Sequence, residues 1–73
     1  MKLDRVQDAI EIFKLNVISY PKSSNVYDSL GEAYLSNNQK TEALANYEKT
    51  LSLDSKNKNA AKIIEKLKKE WNY

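Results

Sequence analysis

The chain contains neither cysteine nor histidine, so no disulfide and no soft-metal site can brace it. The same absences remove the Ser–His and Cys–His pairs from which nucleophilic sites are assembled. Glycine and proline occur once each. That excludes a Gly-rich phosphate loop and points to helices rather than sheet or disorder. The sequence has no run of 18 apolar residues and no signal-peptide pattern, so nothing in it is expected to span or target a membrane. Excess charge is also lacking: twelve basic against ten acidic residues leave +2, and no arginine-rich element or stacking platform accompanies it. Nucleic acid is therefore not an expected partner. With 73 residues the chain forms one small domain, burying about 60% of the surface its unfolded form exposes. Stability has to come from helix packing, from neighbours in a longer chain, or from self-association.

What is present is helical periodicity. In residues 4–19, Val6, Ala9, Ile10, Phe13 and Val17 make one stripe, with Asp4 as the best-placed cap. Ile12, Leu15 and Ile18 lie beside that stripe, so this helix either has partners on two sides or shows an apolar face. Pro21 ends it. A second helix is expected over 25–36, capped by Ser24 or Asn25, with Val26, Tyr27, Leu30, Ala33 and Tyr34 inward. Asn37 and Asn38 can take the left-handed conformation that closes a helix. A third spans 40–53, with Thr41 a candidate cap and Ala43, Leu44, Tyr47, Thr50 and Leu51 inward. The fourth, 58–71, turns Ala60, Ala61, Ile64, Leu67 and Trp71 inward. Its Lys62, Glu65, Lys66, Lys69 and Glu70 face solvent, as on a capping helix.

The single glycine, Gly31, falls inside a helical pattern, where it costs about 1 kcal/mol against alanine. Close approach of a neighbouring backbone is the expected reason. An offset of 34 residues superimposes Ala9 on Ala43, Phe13 on Tyr47, Val17 on Leu51 and Leu30 on Ile64. The break at Pro21 falls on Ser55 under the same shift. In its pattern Tyr27-x-x-Leu30-Gly31-x-x-Tyr34 followed by Ala43-x-x-x-Tyr47, the sequence resembles the tetratricopeptide repeat (TPR) family. Thr50 stands where the family has a smaller residue, Ser55 where it often has proline, and Glu65 and Lys68 replace glycine and tyrosine in the last helix.

The resemblance implies an all-α, right-handed solenoid fragment of antiparallel helix pairs. One domain, 1–73, would comprise the second helix of a partial repeat (4–21), a full repeat (24–57) and a capping helix (58–71). It also implies a non-catalytic module for protein–protein interaction or self-association, with no cofactor and no metal. The first helix of the partial repeat is missing, as though the chain were cut from a longer one or completed by a symmetry mate. The string VYDSLGEAYL, preceded by FKLNVISYP, is similar to tails of bacterial serine hydrolases of the beta-lactamase-like or esterase type. The alternative expectation is therefore an architectural segment stabilising a hydrolase domain outside this chain.

The inner surface of such modules is lined mostly by first helices. On that basis the expected partner contacts are Asn25, Asp28, Ser29 and Glu32 on the second helix, with Lys62 and Lys66 on the fourth. The acidic pair Asp28 and Glu32 argues against capture of a peptide carboxylate and for a neutral or basic protein or peptide ligand. Self-association is expected to use Ile10, Ile12, Phe13, Leu15, Ile18 and Trp71.

Overall fold

A computed structural model describes residues 5–71 as four helices: α1 Arg5–Ser19, α2 Ser24–Ser36, α3 Lys40–Leu53 and α4 Lys58–Trp71. Every expected helix is present, with ends within one residue of the sequence reading. Links this short turn each helix back along its predecessor. Packing is sequential: α1 on α2, α2 on α3, α3 on α4. The result is an all-α slab measuring 39 × 31 × 14 Å. No helix among the described residues is long and apolar enough to cross a membrane.

The helix ends show how the links are set. The backbone N–H of Ser23 bonds the carbonyl of Tyr20 at 3.1 Å across a Pro21–Lys22 turn, with proline at the position whose fixed φ suits it. The Tyr27 hydroxyl then donates to the Pro21 carbonyl at 2.7 Å, tying α2 to this turn. Asn38 has φ 60°, the left-handed value. Around it, Asn38 N–H bonds Leu35 O at 3.0 Å and Gln39 N–H bonds Tyr34 O at 2.8 Å. This is a Schellman closure with asparagine in place of glycine.

The N-termini differ from expectation. The residue before α2 is Ser23 rather than Ser24 or Asn25, and its side chain makes no capping bond. Gln39, not Thr41, precedes α3, also without a capping bond. The side-chain cap that does form is on α4, where Asn57 Oδ1 accepts the Ala60 N–H at 3.0 Å. Asp4 and the Trp71 side chain lie outside the described residues, so the capping, packing and association roles expected of them stay with the sequence.

Ile10, Leu30, Ala33, Tyr34, Ala43, Tyr47, Ala60, Ile64 and Leu67 form the buried cluster, with Val6, Phe13, Val17, Leu35, Leu44, Leu51 and Ile63 packed around it. Thr50 is also fully buried, and its hydroxyl donates to the Asn46 carbonyl at 3.0 Å. Gly31 is buried at the α2–α3 contact. A Cβ there would lie 3.1 Å from Cδ2 and Cε2 of Tyr47 and 3.3 Å from its Cζ. What needs the space is therefore an aromatic side chain from α3, not a neighbouring backbone. Ala61 is exposed, leaving Ala60, Ile64 and Leu67 as the inner face of α4. Two ion pairs tie α4 to α3: Lys40–Glu70 at 2.7 Å and Lys68–Glu48 at 3.7 Å. Both are exposed, so they fix orientation more than they stabilise.

Candidate functional site

Three surfaces follow from this packing. The first is a groove of about 310 Å³ between α1 and α2, lined by Arg5, Val6, Ala9 and Phe13 on one side and Ser29, Glu32, Ala33 and Ser36 on the other. It exists because the α1 stripe is wider than α2 can cover. On α3, Ala43, Tyr47 and Thr50 are closed off by α2 and its neighbours, at 0%, 1% and 0% exposure. Their counterparts on α1 under the 34-residue offset are Ala9, Phe13 and Asn16, and all three remain only half-buried. The groove has an apolar floor and a polar rim, with Arg5 and Glu32 on facing sides.

The second surface is the outer side of α4, a shallow depression lined by Lys62, Glu65, Lys66, Lys69 and Glu70. Lys69 lies 3.6 Å from Glu65 along the helix. Glu70 has its pKa held below the ordinary carboxylate value by its hydrogen bond and charge pairing with Lys40, with Lys66 adding a smaller pull. The expected partner contacts therefore do not line one cleft. Ser29 and Glu32 belong to the α1–α2 groove, whereas Lys62 and Lys66 belong to the α4 face. Asn25 is exposed near the start of α2, and Asp28 is half-buried there.

The third surface is the outside of α1, where Ile12, Leu15 and Ile18 are 57%, 62% and 75% exposed. Two residues expected with them are not there. Ile10 is 1% exposed and belongs to the intrachain core, and Phe13 packs against that core and lines the groove. The correction has a geometric cause. At about 100° per residue, Ile10 and Phe13 point toward α2 while Leu15 points the opposite way.

Sequence reasoning placed Val6, Ala9 and Phe13 on a core stripe without seeing that they would be only partly covered. Ala9 and Phe13 match the sealed Ala43 and Tyr47 under the 34-residue offset, but cover depends on which helices lie against each stripe, which spacing does not show. Arg5 and Ser36 carried no signal, because their place on the rim depends on how α1 and α2 cross.

Asp28 and Glu32 also act inward. Burial, then the charge of Asp28, then that of Glu32, push the Tyr47 phenol up to about 12. The unfolded chain ionises at about 10, so between those values it releases a proton that the folded state retains. Stability supplied by neutral Tyr47 is complete below pH 10 and falls as pH rises toward 12. Urea titrations at pH 9 and pH 11.5 are expected to show a larger loss in the native chain than in Tyr47→Phe. Equal losses in the two proteins would remove Tyr47 as the cause.

Comparison with family profiles, with characterised proteins and with solved structures finds no match to this chain.

Proposed function

We propose that the chain is a non-catalytic, TPR-like protein-interaction module whose α1–α2 groove receives a neutral or basic peptide segment. The observation that carries this reading is the unequal cover of equivalent positions. Ala43, Tyr47 and Thr50 are sealed, whereas Ala9, Phe13 and Asn16 stay half-buried beside a groove of about 310 Å³. An apolar floor with a few polar groups at its edge favours a short amphipathic segment. Glu32 supplies a point of attraction for a basic side chain, with Ser29 and Ser36 as hydrogen-bonding groups. The 34-residue repeat and the Gly31–Tyr47 contact support a right-handed stack of antiparallel helix pairs as the architecture.

The test is a panel of neutral, basic and acidic amphipathic peptides titrated into the isotope-labelled chain, read by NMR shifts of Ala9, Phe13 and Ala33. Neutral or basic peptides are expected to move these signals. Ala9→Phe, which fills the groove, and Glu32→Lys, which reverses the charge on its rim, should each weaken binding about tenfold or more, roughly 1.4 kcal/mol. Full binding by both variants, or shifts confined to other helices, would refute the reading.

A further inference from the structure

The outer side of α1 has a property that the groove does not explain. Under the 34-residue offset, Ile12, Leu15 and Ile18 correspond to Asn46, Lys49 and Ser52 of α3. Those three are polar, and each has a partner within the chain. Asn46 donates to the Glu42 carbonyl at 2.8 Å, Lys49 lies over the Tyr27 ring at 5.7 Å, and Ser52 donates to the Lys49 carbonyl at 2.7 Å. The fold thus accepts polar groups at these positions, yet α1 carries three large aliphatic residues there, each more than half exposed. At about 100° per residue they span roughly 120° of arc, which is the width of a helix-packing face.

The charges around this face are unevenly distributed. Within α1, residues 5–11 carry Arg5, Asp8 and Glu11, a net −1, whereas residues 12–19 carry Lys14 alone, a net +1. A second copy laid parallel sets like against like. A second copy laid antiparallel sets the acidic half against the basic half. Lys14 contacts Glu11 of its own helix at 3.4 Å, but both groups are exposed, so that pair is readily exchanged for a contact across an interface.

We propose that the outer face of α1 is a self-recognition surface pairing two copies of this chain through antiparallel α1 helices. The two-fold axis passes between Ile12 and Leu15. Ile12 of each copy packs on Leu15 of the other, and Asp8 lies opposite Ser19. Ile18 extends the apolar contact toward the N-terminal half of the opposite helix. An α1 helix is about 22 Å long, so the buried area falls below the standard interface of about 1,600 Å². The dimer is accordingly weak and reversible. This pairing uses the side of α1 turned away from the groove and stands whether or not the groove binds a peptide.

Sedimentation of the full 73-residue chain from micromolar to millimolar concentration should show a reversible rise to twice the monomer mass. Leu15→Lys and Ile18→Lys should each abolish it while leaving the helical circular dichroism intact, since both residues are already exposed. Ala9→Phe, which alters only the groove, should leave it unchanged. Orientation is read by disulfide trapping, which the absence of native cysteine makes unambiguous. Chains carrying Asp8→Cys and Ser19→Cys are mixed and oxidised. The mixed disulfide should predominate, because each like pair is held about 16 Å apart in the antiparallel dimer, beyond disulfide reach. A monomer at all concentrations overturns the proposal, as does unchanged association in both lysine variants. Preferential Asp8→Cys homodimers overturn the antiparallel arrangement.

Discussion

Tyr47→Ala is expected to cost about 3–5 kcal/mol, the range for removing a fully buried aromatic ring. Tyr47 is 1% exposed and is the largest fully buried side chain among the described residues. Its ring fills the space over Gly31, in the most extensively packed of the three helix pairs. A domain of 73 residues has a total stability of about 4–11 kcal/mol, so this one truncation consumes a large share of it. Chemical denaturation should show a markedly lower midpoint, or a chain already unfolded in water. Tyr47→Phe is the control: it keeps the ring, removes the hydroxyl and should stay within about 1 kcal/mol of the native chain. A Tyr47→Ala loss below about 1 kcal/mol would mean that the ring is not the centre of the α2–α3 contact.

The second large effect is expected on the other side of the same contact. Gly31→Ala brings two opposed changes: a helix-propensity gain of about 1 kcal/mol and a Cβ only 3.1 Å from two ring carbons of Tyr47. The ring must give by a few tenths of an ångström, so the two changes nearly cancel. Gly31→Leu is different, because its added carbons have to displace a buried ring. Overpacking of that kind costs about 1–3 kcal/mol, and the upper part of the range is expected here. The double variant Gly31→Leu/Tyr47→Ala should lose less than the sum of the single losses, by about 1–2 kcal/mol, because the new side chain enters the space the ring leaves. Simple additivity would separate Gly31 from Tyr47 energetically and remove the packing explanation for the glycine.

Much of this arrangement is legible in the sequence because it is written in local patterns. The four helices follow from apolar spacing, and their ends from Pro21, the Asn37–Asn38 pair and the polar break after Leu53. Asn38 takes the left-handed conformation expected of it because no glycine stands there. Gly31 is recognisable as a packing residue because nothing local requires it. The gaps have physical causes as well. Ser24, Asn25 and Thr41 look like caps by composition, but a cap depends on where the first turn begins, and a shift of one residue removes it. Asn57 caps α4 only because that helix begins at Lys58, a boundary that apolar spacing does not set to the residue. Ile10 lies on the main α1 stripe by spacing yet also counts among the self-association candidates, because two apolar stripes run side by side on one helix and spacing does not say which of them a neighbouring helix covers. Lys40–Glu70 joins residues far apart in the chain and could not be inferred from spacing. The groove is intermediate: Ala9 and Phe13 were recognised as repeats of Ala43 and Tyr47, but partial cover is a three-dimensional property.

The account centres on that difference between α1 and α3, which carry equivalent residues with unequal cover. Parallel denaturation of Phe13→Ala and Tyr47→Ala tests it most directly, because the two substitutions remove rings at equivalent repeat positions. The half-buried Phe13 should cost about 1–2 kcal/mol, at least about 1 kcal/mol less than Tyr47, because less apolar surface leaves water there on folding and less of a cavity remains after truncation. Equal costs would show that Phe13 is as fully enclosed as Tyr47, leaving no open groove for a partner to fill.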